Sequence, residues 1–133
     1  MLVKVFGAAL QGIEARTVTI EVSTARGIKF FLVGLPDIAV KESHERIQAA
    51  LQNNGYKFPS CQITVNMAPA DLRKEGSGYD LPLCMGILAA AGTVKSETLS
   101  HYLMVGELSL DGSLQPVKGI LPVAIQAWKE RFK

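Results

Sequence analysis

The sequence predicts a single domain of mixed α/β (α+β) class, with strands and helices interleaved along the chain. Three observations carry that expectation. Val18, Ile20 and Val22 alternate with Thr17, Thr19, Glu21 and Ser23, and Ile63, Val65 and Met67 alternate through Gln62 to Met67, the period-two signature of strands with one dry and one wet face. Between them, Val40, Ile47, Ala50 and Leu51 recur at helical spacing. Downstream, Leu81 to Val94 carries no charge at all, as a helix covered on most sides does. With 133 residues and 48% hydrophobic content, the chain has room for one core and not comfortably for two. Residues 1–133 are therefore read as one domain, and an aromatic share of only 7% makes its core mostly aliphatic.

Taken in order, a first strand is expected between Val3 and Leu10, with Gly7 inside it. The alternating run Thr17 to Ser23 gives a second, closed by Gly27. Ile28 to Val33 is apolar on both faces after Lys29 and reads as a more central strand, joined to the preceding one as a hairpin. Pro36 and Asp37 open a surface helix with Lys41, Glu42, Glu45 and Arg46 on its wet side, and Asn53, Asn54 and Gly55 end it. The strand Gln62 to Met67 stops at Pro69. A polar loop from Asp71 to Tyr79 leads to Asp80 as N-cap and Pro82 in the first turn of the uncharged helix. Its small residues, Gly86, Ala89, Ala90 and Gly92, suit close approach to a sheet. Tyr102 to Leu110 and Leu114 to Val117 flank Asp111-Gly112, a strong hairpin signal, with Pro116 marking an edge arm. A last helix begins near Leu121-Pro122 and places Leu121, Ile125, Trp128 and Phe132 on one face. No Gly, Asn or Pro stops it before Lys133, which reads as a chain that continues into a longer protein.

Fourteen basic against twelve acidic residues give a net charge of +2, too little and too evenly spread to mark a nucleic-acid footprint. The longest uncharged stretch falls well short of the ~20 residues that cross a bilayer, so no membrane partner is expected. Leu2, Val3 and Lys4 do not begin a secretory signal, and a cytoplasmic location is expected. Cys61 and Cys84 lie far apart, without a Cys-x-x-Cys pattern, and far from His44 and His101. They read as ordinary thiols, and no metal ligand set is expected.

The segment with the most chemical content is Arg73 to Pro82. A Gly-Ser-Gly feeding a helix N-terminus presents free N–H groups and the positive end of a dipole, an anion pocket. The alternative stands beside it: Gly76 and Gly78 serve a turn of positive φ, and the Asp80 carboxylate already satisfies the helix end. No G-x-x-x-x-G-K-[ST] or G-x-G-x-x-G occurs, so neither a nucleotide P-loop nor a dinucleotide site is expected. Ser77 near a helix start and Lys118 just before the last helix are a nucleophile and base only if the fold brings them together, which their spacing alone does not indicate. Glu107 with Asp111, beside the Asp-Gly turn, reads better as two solvated hairpin residues than as an acid pair. Arg16, Arg26, Lys29 and Lys41 form no run with interleaved aromatics.

Three blocks together resemble a known family: Val33-Gly34-Leu35-Pro36-Asp37 with Val40-Lys41-Glu42-Ser43 and Glu45-Arg46; Asn66 through Pro82; and Gly106-Glu107-Leu108 with Asp111-Gly112, Pro116, Gly119 and Leu121-Pro122. They are similar to the N-terminal domain of the magnesium-chelatase-like AAA+ proteins, the YifB and competence-protein ComM family. The resemblance implies a fold like domain two of ribosomal protein S-five, shared with the Lon protease domain and the GHMP kinases: a mixed sheet with helices on one side and a left-handed βαβ crossover. Matching Lys74-Glu75-Gly76-Ser77 to the Lys-Asp-Gly-Pro that precedes the Lon nucleophile puts Gly78 at the nucleophile's place and Leu121 at that of its lysine partner. Neither catalytic group is then present. The GHMP phosphate loop is rich in Gly and Ser, whereas Lys74, Glu75 and Asp80 crowd this one with mixed charge.

The resemblance further implies a downstream AAA+ module that binds ATP and Mg, neither of which this fragment itself is expected to hold. It implies neighbouring subunits of a hexamer as partners, and a family role resembling DNA recombination or branch migration in competence. The expected function is thus a non-catalytic accessory domain, with a degenerate Lon-like serine hydrolase and a stand-alone nucleic-acid-binding module as alternatives. The hydrolase demands a Lys Nζ within about 3 Å of Ser77 Oγ. The expected interaction loop is Arg73, Lys74, Glu75, Ser77, Gly78 and Asp80, with Asp37 and Arg46 of the surface helix as weaker candidates.

Overall fold

The computed structural model describes residues 1–133. A four-stranded mixed sheet organises it. β1 (Leu2–Gln11) and β2 (Glu14–Ala25) form an antiparallel hairpin in which Val5 faces Ile20 and Val3 faces Val22. β2 continues antiparallel onto β4 (Gln62–Ala68), with Val22 opposite Val65 and Ile20 opposite Met67. β3 (Phe30–Val33) lies parallel to β4 at the far edge, so the order is β1-β2-β4-β3. The expected hairpin between β2 and β3 is therefore corrected. β2 takes β1 as its hairpin partner, and β3, a half-exposed edge strand, reaches β4 through a helical crossover, as parallel pairing requires.

That crossover consists of α1 (Ile38–Lys41) and α2 (Ser43–Gln52). Val40, Ile47, Ala50 and Leu51 are buried, leaving the charged side of α2 to solvent. Phe30 of β3 stacks on His44 of α2 with ring centres 4.2 Å apart, and Phe58 closes the group. α3 (Asp80–Ala90) is the central helix, buried nearly all round as its uncharged sequence requires. At Gly86 a Cβ would stand 2.9 Å from Val22 Cγ2 and 3.2 Å from Val5 Cγ2, so the missing side chain is what lets the helix meet the sheet. The core is the aliphatic layer between this sheet face and the two helices: Val3, Val5, Val18, Ile20, Val22, Ile63, Val65 and Met67 from the strands, Leu83 and Ile87 from α3.

The expected long hairpin arms after Tyr102 are shortened. Leu103 bridges Phe6 in parallel and Met104 N–H donates to the Phe6 carbonyl, so this stretch lies along the free edge of β1. Only β5 (Glu107–Leu108) and β6 (Leu114–Gln115) pair, around the Asp111-Gly112 turn. Asn53 and Asn54 at the end of α2 donate to the carbonyls of Leu110 and Asp111 and hold that turn.

α4 (Ile120–Lys129) departs from the one-sided helix arrangement. Thr17 Oγ1 donates to Glu130, and Phe6 packs against Phe132 at 5.2 Å. Thr17 and Phe6 stand on the sheet face opposite Val5 and Ile20, so α4 covers the second face. It does so through Val123, while Leu121, Ile125 and Trp128 point outward. Of the four residues the sequence puts on one face, Leu121, Ile125 and Trp128 are left open and only Phe132 packs, on Phe6.

Candidate functional site

The three sequence blocks meet at one place, and backbone hydrogen bonds bring them there. Leu35 to Asp37 runs beside Lys74: Lys74 N–H donates to the Leu35 carbonyl at 3.0 Å, and Asp37 N–H to the Lys74 carbonyl at 2.9 Å. From the other side, Gly106 N–H donates to the Gly78 carbonyl and Leu81 N–H to the Gly106 carbonyl. The Gly-Ser-Gly loop is clamped between the two. Gly34 makes the first clamp possible: at φ +109° its backbone lies so close to Met67 that a Cβ would sit 2.1 Å from the Met67 carbonyl oxygen. Leu35 follows at φ +57°, a left-handed conformation that costs a non-glycine residue about 1–2 kcal/mol.

Asp37 works in two directions. Its Oδ1 accepts from Val40 N–H at 2.8 Å and caps α1, while Oδ2 accepts from Gly76 N–H at 3.1 Å. A helix start is thereby fixed to the loop. Gly76, not Gly78, carries the positive φ of this turn, at +86°.

Asp80 is not the N-cap of α3. Tyr79 holds that position, and Asp80 is the first helical residue. Its carboxylate is fully buried, at 0% exposure. It accepts from Ser43 Oγ, from Arg46 Nε at 2.7 Å and Nη2 at 3.0 Å, and from Leu108 N–H at 2.9 Å. That bond to Asp80, joined by the carboxylate's charge and opposed by burial, raises the Arg46 guanidinium further above its ordinary value. The ion pair ties α2, α3 and β5 together, so Asp80 is removed from the set of surface contacts expected of the loop, and Arg46 keeps only a fifth of its side chain open.

Lys74 is corrected in the same sense. It is 0% exposed, and its ammonium donates to the Pro69 carbonyl. Burial lowers its pKa, with Asp71 opposing. The loop alternates here: Leu72 and Lys74 face in, while Asp71, Arg73 and Glu75 face out. Period-two reading of Asp71 to Glu75 is the signal that identifies Lys74 as an inward residue. Arg73 and Glu75 remain exposed and pair at 3.1 Å.

Ser77 donates its hydroxyl hydrogen to Glu107, and no lysine hydrogen-bonds to it. Glu107 is thus a half-buried loop partner, unlike the solvated residue its place beside the turn suggested; Asp111 is the solvated one, its carboxyl held below the ordinary value by the N–H and hydroxyl of Ser113. Beneath them lies Tyr79, which the residue pattern gave no reason to single out. It is buried, its hydroxyl has no hydrogen-bond partner, and desolvation, with the carboxylates of Asp37 and Glu75, pushes its pKa up.

These groups open onto a cleft of about 810 Å³. Asp37, Arg73, Glu75, Ser77, Tyr79 and Glu107 line it together with Leu10 of β1 and Val117 and Lys118 of the final loop. The lining carries both charge signs, from Arg73 and Lys118 and from Asp37, Glu75 and Glu107, beside apolar Leu10 and Val117. No three His, Cys, Asp or Glu residues are grouped to hold a metal ion. No helix is long and apolar enough to cross a membrane.

Comparison with known proteins places this arrangement in context. The family described as subunit ChlI of Mg-chelatase matches residues 20–133. Competence protein ComM of Haemophilus influenzae is 44% identical over 128 residues, 96% of this chain and 25% of that protein. The uncharacterized protein YifB of Escherichia coli is 43% identical over 126 residues, again 25% of its length. An uncharacterized protein of Mycobacterium tuberculosis is 39% identical over 128 residues. The chain spans about a quarter of the length of the curated relatives it matches.

Proposed function

The chain belongs to the family of the ChlI subunit of Mg-chelatase, and from that premise we propose that it is a non-catalytic accessory domain of a longer cytoplasmic magnesium-chelatase-like AAA+ ATPase. In this reading ATP and Mg belong to the AAA+ module, and the domain presents its cleft to that module or to a neighbouring subunit of a hexamer. The role is in DNA recombination or branch migration, in keeping with the competence for which the Haemophilus influenzae relative is named.

The observation that carries the reading is a disproportion: 96% of this chain matches a relative of which it makes up only 25%. The site supports it. Its hydroxyl is committed to Glu107 and its one buried ammonium to a backbone carbonyl, so both groups hold the loop in shape. Exposed Arg73 and Glu75 are left to meet a partner.

The test compares purified residues 1–133 with the longer protein that contains them. The expected result is ATP turnover, stimulated by branched DNA, in the longer protein alone. Turnover by residues 1–133 above a mock preparation would overturn the proposal. So would tight binding of a labelled branched DNA by the fragment, weakening steeply as salt rises, since that is the behaviour of an independent nucleic-acid module.

A further inference from the structure

α4 is amphipathic in the wrong sense for a helix that ends its fold. Val123 is its one buried residue, and the outward stripe is Leu121, Ile125 and Trp128, exposed by 72, 45 and 79%. A helix packed on a sheet normally turns such residues inward and polar ones outward. Here Gln126 and, just past the helix end, Glu130 bond Thr17 of β2, while the indole stands in water. Contiguous large apolar side chains on one exposed helix face mark a surface that another element covers.

We infer that this stripe is the seat of the segment that follows residue 133 in the longer protein, docking as an apolar helix or strand across Leu121, Ile125 and Trp128. Two observations choose that occupant. The relatives are about four times as long as this chain, which makes up 25% of each. The end of the chain is also fastened beside the stripe: Lys133 N–H donates to the His101 carbonyl at 2.8 Å and Phe132 packs on Phe6, so the chain leaves the sheet within one helix length of Trp128. A short connection suffices. The inference rests on the reading that the chain is one domain of a longer protein, but not on that protein's ATPase or on the cleft, which α4 borders only through Val123.

The test is hydrogen exchange of the amides of residues 120–129 in the longer protein and in residues 1–133. Exchange is expected to be about ten times slower or more in the longer protein. The double variant Leu121→Ser, Trp128→Ser should abolish that difference, while leaving the melting temperature of residues 1–133 unchanged because both side chains are exposed there. Emission of Trp128, the single tryptophan of residues 1–133, should be that of a solvated indole at every protein concentration. Equal exchange in both proteins overturns the inference, as does a natural reading frame that stops at Lys133. A blue shift of Trp128 with rising concentration of residues 1–133 overturns it in favour of a second copy as occupant. ATP turnover by the isolated domain would refute the proposed function and leave these readings unaffected.

Discussion

Replacing Asp80 by alanine tests whether the candidate loop is held by a buried ion pair. Asp80 accepts four hydrogen bonds from Ser43, Arg46 and Leu108. Its removal leaves a guanidinium four-fifths buried, a buried hydroxyl and a backbone N–H without an acceptor. Breaking a buried pair by deleting one partner costs about 3–5 kcal/mol, and each abandoned neutral donor about 1–3. The terms overlap, and water reaches the open part of Arg46, so about 4 kcal/mol is the working figure. Against a total stability of about 5–15 kcal/mol, that is a large loss. For a domain of this size it lowers the melting temperature by about 15 °C. Urea and thermal unfolding of residues 1–133 measure it. The double variant Asp80→Leu, Arg46→Met removes both charges and should lose less than Asp80→Ala alone. A loss under about 1 kcal/mol for Asp80→Ala, or strictly additive single costs, would refute the reasoning.

Other consequences are equally specific. Gly34→Ala should prevent folding or cost well over 3 kcal/mol, because its Cβ meets the Met67 carbonyl at 2.1 Å, whereas Gly76→Ala, with open space around it, should cost only about 1 kcal/mol for its positive φ; similar melting temperatures for the two would contradict this. Burial, aided by the Asp80 charge, raises the Cys84 thiol to about 11 from 9.0. The unfolded chain therefore ionises first, and stability falls between about pH 9 and pH 11 at up to about 1.4 kcal/mol per pH unit; denaturant titrations should show Cys84→Ala flattening that slope. In the native protein near pH 8, an alkylating reagent followed by mass analysis should modify half-buried Cys61 well before Cys84. Lys74 runs oppositely: its folded pKa is lowered, so the native state binds fewer protons and Lys74 contributes a rise in stability as pH climbs toward 10.5, a rise that Lys74→Met should remove.

What could be read from residue order was whatever depends on local period. β2, β4, α2 and α3 were legible because alternation or a helical stripe records burial directly. β3 was misplaced because Phe30 to Val33 is apolar on both faces, and such a run looks central. In the fold Phe30 stacks on His44 and Leu32 sits against the core, while Phe31 and Val33 face outward at the edge. The direction of α4 escaped for a related reason: a period shows that a helix has an apolar face, not which neighbour that face meets. At the site, the loop itself was legible from Gly76, Ser77 and Gly78. Which of its charges point outward was not. Asp80 is satisfied by Arg46, 34 residues away, and Ser77 by Glu107, 30 away; pairings over such separations exist only once the chain has folded.

The most direct check of the account exposes purified residues 1–133 to a fluorophosphonate serine probe and weighs the intact protein. Ser77 donates its hydroxyl hydrogen to Glu107 and accepts no hydrogen bond from a lysine, so the mass should stay unchanged after long incubation. A stoichiometric adduct on Ser77, lost in Ser77→Ala, would show that the domain carries hydrolytic chemistry of its own.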